Sequence, residues 1–142
     1  SSMERGTILF HTCFQFRNGT IGEKLLVVLN TPKSGEPYLL VRTTSQIEKW
    51  SSYYKQPIQR GCNYRLLLFY ITPEDKTFFE KPTLLQFDEI YPLTSAQLLS
   101  DRFKGVLEAK GQLSENKFNE IMNCVKAMKD DIEERYFKML FP

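Results

Sequence analysis

Apolar and polar residues alternate at period two over 7–17, TILFHTCFQFR, and this predicts a strand. Its parity places Ile8, Phe10, Phe14 and Phe16 on one face and His11, Cys13, Gln15 and Arg17 on the other. Asn18-Gly19 marks a turn, and the continuous apolar run Leu25–Leu29 predicts a strand buried on both faces. Residues 30–35 carry loop chemistry, and Tyr38–Thr43 forms a third predicted strand. The polar, aromatic stretch Ser45–Gly61 contains Pro57 and is expected to be a long loop, a kind of segment that commonly carries function. Tyr64–Ile71 and Thr83–Tyr91 complete the predicted strands, joined by a connection over 72–81. Within the last of them Gln86 and Asp88 share a face, with Phe87 and Glu89 on the other.

The period changes after Pro92. Thr94-Ser-Ala-Gln97 has capping-box form and opens a short helix that carries Leu98, Leu99 and Phe103 and ends at Gly105. Ser114 is placed as the N-cap of a second helix of about 24 residues. Its stripe is Phe118, Ile121, Met122, Val125, Met128, Ile132 and Tyr136, spaced for docking on a sheet. The expected fold is α+β: one domain over 1–142, a small, strongly curved antiparallel barrel or sheet closed by a long C-terminal amphipathic helix.

Composition adds boundaries to this picture. Hydrophobic residues at 42% and charged residues at 25% are those of an ordinary globular chain, and no apolar run is long enough to span a bilayer. Ser1-Ser2 ahead of Met3 looks like a tag remnant preceding the initiator methionine. Cys13, Cys62 and Cys124 are far apart and odd in number, with no CxxC pair and one histidine. They are expected as separate reduced thiols in a cytoplasmic protein, with no metal site.

Net charge is only +2, but its distribution is uneven. Between Tyr38 and Arg65 the bases Arg42, Lys49, Lys55, Arg60 and Arg65 face the single acid Glu48, among Tyr38, Trp50, Tyr53, Tyr54 and Tyr64. Cations for phosphates and aromatic faces for bases are what a single-strand nucleic-acid surface needs; a solvated loop with its aromatics in the core has the same composition. No P-loop, HExxH or GxSxG motif is present. Lys24 follows a glycine-flanked loop and could hold a phosphate, or be a solvated strand end. Arg42-Thr43-Thr44-Ser45 ends a strand in a guanidinium and three hydroxyls, a set that can bind phosphate oxygens or simply satisfy a turn. His11, the only histidine, is more often structural in such a position.

The ordered set of segments resembles the PemK/MazF/Kid-like toxins of bacterial toxin–antitoxin modules. The resemblance lies in the opening Met3-Glu-Arg-Gly-Thr-Ile8, the glycine-rich loop before Lys24-Leu-Leu-Val-Val-Leu-Asn30, and Val41-Arg-Thr-Thr-Ser45. It continues in Leu85-Gln-Phe-Asp-Glu-Ile-Tyr-Pro-Leu93 and in Gly111-Gln-Leu113 before the final helix, and it spans about Glu4 to Ile132. It implies an SH3-like barrel, a homodimer, an antitoxin protein as partner and metal-independent cleavage of single-stranded RNA with no cofactor. The 2′-hydroxyl would be the nucleophile, with one group to take its proton and another to protonate the leaving 5′-oxygen.

Carried over by position, the resemblance gives Lys24, Thr44 and Asp88 as catalytic candidates, and Arg42 joins them as a replacement for a guanidinium the family has and this chain lacks. Arg17, Thr43, Ser45, Trp50, Tyr53, Arg60 and Gln86 are the RNA-binding candidates. Lys24 and Gln86 stand where the family has arginines, and no residue matches the loop histidine of the Kid-like branch. These departures leave open a non-catalytic module of the same fold that binds RNA or protein.

Overall fold

A computed structural model describes residues 3–142; Ser1 and Ser2, read above as a tag remnant, lie outside the described residues. The strands are β1 (Thr7–Gln15), β2 (Ile21–Val28), β3 (Tyr38–Thr44), β4 (Gly61–Asn63), β5 (Leu68–Ile71), β6 (Thr83–Leu93) and β7 (Leu107–Gln112). The helices are α1 (Ile47–Tyr54), α2 (Ser95–Phe103), α3 (Glu115–Lys126) and α4 (Glu134–Leu140), with single 3₁₀ turns at Pro73–Asp75 and Lys129–Asp131.

The strands form one antiparallel sheet in the order β4-β5-β6-β3-β2-β1-β7. The expected closed barrel is therefore not formed. β4 and β7 are free edges at opposite ends of an open sheet, and apolar side chains on both faces are covered by helices instead. One face presents Ile8, Val27, Leu39, Val41, Phe69 and Leu85 to Phe118, Ile121 and Val125 of α3 and Tyr136 of α4. The other face has two clusters. Leu9, Leu26, Val28 and Leu40 pack under Leu98 of α2, and Leu68 and Leu84 pack under Ile47, Trp50 and Tyr54 of α1.

The long C-terminal helix is also not formed. α3 starts at the expected cap, where the Lys117 amide donates to the Ser114 hydroxyl at 3.1 Å, but it ends at Lys126. The Ala127 and Met128 amides turn to the carbonyls three residues back, and Ile132 is extended. Lys129-Asp-Asp131 is weak helix sequence, because short acidic side chains compete for local amides. The apolar stripe nonetheless survives the break, since Met128, Ile132 and Tyr136 all join the α3 cluster.

Other departures have local causes. Ser45–Gly61 is not a loop throughout, because Ile47, Trp50 and Tyr54 lie at helical spacing and close a core over Leu68 and Leu84. The strand predicted over 64–71 begins as a turn. Leu67 is left-handed (φ 58), and the Leu66 amide donates to the Asn63 side chain, making a β4–β5 hairpin. β7 has too few apolar residues to announce itself and is specified by pairing with β1. A bulge between His11 and Phe14 reverses the parity of β1, so Ile8 and Phe14 lie in different clusters rather than on one face. Cys62 and Cys124 are joined in a disulfide rather than held as separate thiols. α3 packs beside β4 and brings their Cα atoms to 5.5 Å, within bridging range. Cys13 is the free, exposed cysteine. No helix among the described residues is long and apolar enough to cross a membrane.

Candidate functional site

Antiparallel pairing places directly opposed residues on the same face. Lys24 on β2 opposes His11, Arg42 on β3 opposes both Leu26 and Gln86, and Thr44 opposes Leu84. Lys24, Arg42, Thr44 and Gln86 therefore share the face that α1 and α2 cover. Alternation puts Thr43 on the other face, where its hydroxyl donates to the Leu25 carbonyl at 2.8 Å.

Between Val41–Arg42 and Ile90–Gln86 the β3–β6 register slips, and residues 87–89 bulge out of the ladder. The slip frees Asp88 and Glu89, adjacent in sequence, for two arginines. Arg42 Nη2 donates to both Asp88 carboxylate oxygens at 3.0 and 2.8 Å, and Arg17 Nε donates to Glu89 at 3.1 Å. The buried Nε–H of Arg42 meets no acceptor in the protein.

These charges perturb one another. Burial first, then the positive charges of Arg42 and Lys49, pushes the Lys24 ammonium below its ordinary pKa. Its Nζ lies 5.5 Å above the Phe16 ring, and Lys49 sits 5.4 Å from the Trp50 ring. Burial works to raise the Glu89 carboxyl, but the neighbouring Tyr91 and Arg17 outweigh it and hold that group low. Tyr91 is itself pushed up to about 12 by burial and by Glu89. Tyr54 is raised by burial and then by the Asp88 carboxylate, which places its phenol in the same field.

Over this charged strip Trp50, Tyr53 and Tyr54 form an aromatic cluster, with Trp50–Tyr53 and Tyr53–Tyr54 edge-on at 5.4 and 5.0 Å. Tyr53 is 70% exposed. The structure thus gathers Lys24, Arg42, Gln86, Asp88 and the α1 aromatics, with Arg17 joined to them through Glu89. Arg60 goes elsewhere: it pairs with Glu74 and Asp75, and Asp75 also takes Lys117 of α3. Thr44 is buried and its hydroxyl accepts the Gln46 amide at 3.2 Å, so it holds the turn into α1.

His11 is occupied structurally. Its Nδ1 accepts the Cys13 amide at 3.0 Å, which leaves Nε2 to donate to Asp101 at 3.3 Å, and Gln97 holds the other Asp101 oxygen. The basic, aromatic stretch named Lys49 and Tyr54 by composition, without the helical spacing of 47–54 that places them here. Sequence reasoning missed Glu89 and Tyr91 as members of the site, and Glu89 needed the bulge. No group of acidic, histidine or cysteine side chains among the described residues could hold a metal ion.

The strip can bind an anion next to a flat aromatic body. Arg42 holds a carboxylate that could accept a proton, Lys24 lies in the field of Arg42, and the exposed Tyr53 ring stands beside them. No family model matches the chain, and neither does any curated protein.

Proposed function

We propose that this face binds single-stranded RNA and cleaves it without metal, and that the chain is a divergent relative of the PemK/MazF/Kid-like toxins. The observation that carries the reading is the convergence of Lys24, Arg42 and Asp88 beneath Trp50, Tyr53 and Tyr54. A phosphate at Lys24 and the Nη2 of Arg42 would displace Asp88 from its ion pair. Asp88 would then take the proton of the 2′-hydroxyl as that oxygen attacks phosphorus. Lys24, its proton loosened by burial, would give a proton to the departing 5′-oxygen, leaving a 2′,3′-cyclic phosphate and a 5′-hydroxyl. Both cations would stabilise the charge gathered on the phosphoryl oxygens.

The antitoxin and the homodimer rest on the resemblance. Leu99 and Phe103 of α2, 63% and 94% exposed, offer an apolar surface for a protein contact. The Arg42–Asp88 pair also favours a second reading, a binding module without catalysis, because the guanidinium occupies both carboxylate oxygens that a base would need.

Incubation with a long single-stranded RNA in EDTA, with products mapped at nucleotide resolution, separates the two. Discrete cuts ending in cyclic phosphate, lost in both Asp88→Asn and Lys24→Gln, support cleavage. RNA that is bound but intact supports the module, and RNA neither bound nor cut removes both.

A further inference from the structure

A cavity of about 780 Å³ opens beside this strip, on the opposite face of the sheet. Its walls are Phe10, Leu25, Phe78 and Phe79, and segment 77–81 roofs it. Gly111 sets that roof in place: a Cβ there would lie 2.6 Å from the Phe78 ring, so only glycine lets the ring rest on β7. Phe79 anchors the roof in the core, edge-on to Phe78 at 5.6 Å.

The charges on the rim cancel, Glu23 and Glu80 against Lys24 and Lys81. A phosphate would gain nothing inside, whereas a neutral, flat, hydrogen-bonding ring would. Ser45 supplies a hydroxyl to its edge, Thr43, whose proton goes to the Leu25 carbonyl, can accept there, and Phe10 and Phe78 supply apolar contact to its faces. β3 connects the two sites by alternation. Arg42 faces the charged strip, Thr43 faces the opposite side with the cavity, and Lys24 and Thr44 border both.

We infer that the cavity receives one unpaired nucleobase of an RNA whose phosphate sits at Lys24 and Arg42, and that it selects which base occupies that position. This rests on the RNA reading and adds a specificity site to it. Phe78 and Ser45 are its positioning residues, Phe78 by stacking and Ser45 by hydrogen bonding.

The test is fluorescence anisotropy with a short labelled single-stranded RNA and a series in which one abasic nucleotide is moved along it. The wild-type chain should lose about tenfold in affinity when the abasic nucleotide reaches one position. Phe78→Ala should lose about as much on the intact RNA and no longer sense that position. Ser45→Trp, which fills the mouth from an exposed site, should behave likewise, while Arg42→Ala should weaken every RNA equally. Wild-type affinity and an unchanged abasic penalty in Phe78→Ala and Ser45→Trp would overturn the cavity inference and leave the RNA reading standing. If the wild-type chain binds no RNA, that reading fails, and free nucleosides followed by NMR decide the cavity. Shifts of the Phe10 and Phe78 ring signals that Ser45→Trp abolishes support a nucleobase pocket, and unmoved signals overturn it.

Discussion

Replacing Asp75 should unlock the junction between the β4–β5 hairpin and α3. Its side chain is 2% exposed and accepts from the Thr72 amide at 2.8 Å, from Lys117 Nζ at 3.0 Å and from Arg60. Burial alone would raise this carboxyl, yet Arg60, the Thr72 amide and Lys117 outweigh it and hold it well below the usual range. Arg60 lies out in solvent and is left out of the count. The two remaining bonds to a charged acceptor are each worth about 1.5–3 kcal/mol, and removing one partner of a buried pair costs about 3–5 kcal/mol. Asp75→Ala should therefore lose about 3 kcal/mol at pH 7, and Asp75→Asn about half that, because the amide oxygen still serves Thr72. Because the folded-state pKa is depressed, this stabilisation is fully present above the unfolded value of about 4 and is lost as pH falls below it. Urea unfolding followed by circular dichroism at pH 7 and pH 3 measures both effects. Wild type should weaken more than Asp75→Asn on acidification. Equal stability of wild type and Asp75→Ala at pH 7, within about 0.5 kcal/mol, would refute the account.

Other consequences can be checked separately. The Cys62–Cys124 bond joins positions 62 residues apart, so its reduction, or Cys62→Ser, should cost about 4 kcal/mol in urea unfolding by the chain-entropy account. Gly111→Ala forces the Phe78 ring aside and should cost about 1–2 kcal/mol in thermal unfolding, and Phe78→Ala in the same chain should recover part of it. The lowered pKa of Lys24 means that its charge is lost at lower pH than for an ordinary lysine. RNA affinity should therefore fall as pH rises toward about 10, with the salt slope shrinking by about 0.7, and Lys24→Arg should remove this pH dependence.

Local signals in the chain carried much of this architecture. The caps at Thr94 and Ser114 lie where the side-chain pattern places them, because a hydroxyl accepting the amide three residues on is a purely local device. The doubly buried run expected over Leu25–Leu29 was nearly as plain, with Leu26–Leu29 buried and Leu25 partly so. Closure was not legible, because whether a twisted sheet curls on itself or stays open is decided by what covers its faces. Here α1, hidden in a polar stretch with Pro57 beyond its end, supplies a cover that a loop could not. The acidic break after Lys126 was hidden differently, since an apolar stripe continues at similar spacing through a 3₁₀ turn.

The site shows why candidate residues were easier to name than to place. Lys24, Arg42 and Asp88 were visible as charges at strand positions, but period-two counting assigns faces only while the ladder stays in register. It fails after His11, where the bulge moves Phe14 to the other face, and again at 87–89, where the slip delivers both Asp88 and Glu89 to arginines. Strict alternation along β6 would have sent Glu89 into the α3 core beside Phe87. An unpaired carboxylate there would be costly, so the irregular register is what makes Asp88-Glu89 tolerable at this point in the sheet. The same irregularity concentrates opposed charges around Arg42 while leaving the Asp88 carboxylate open to water. The bulge that keeps Glu89 out of the core is thus also the structural origin of the candidate site.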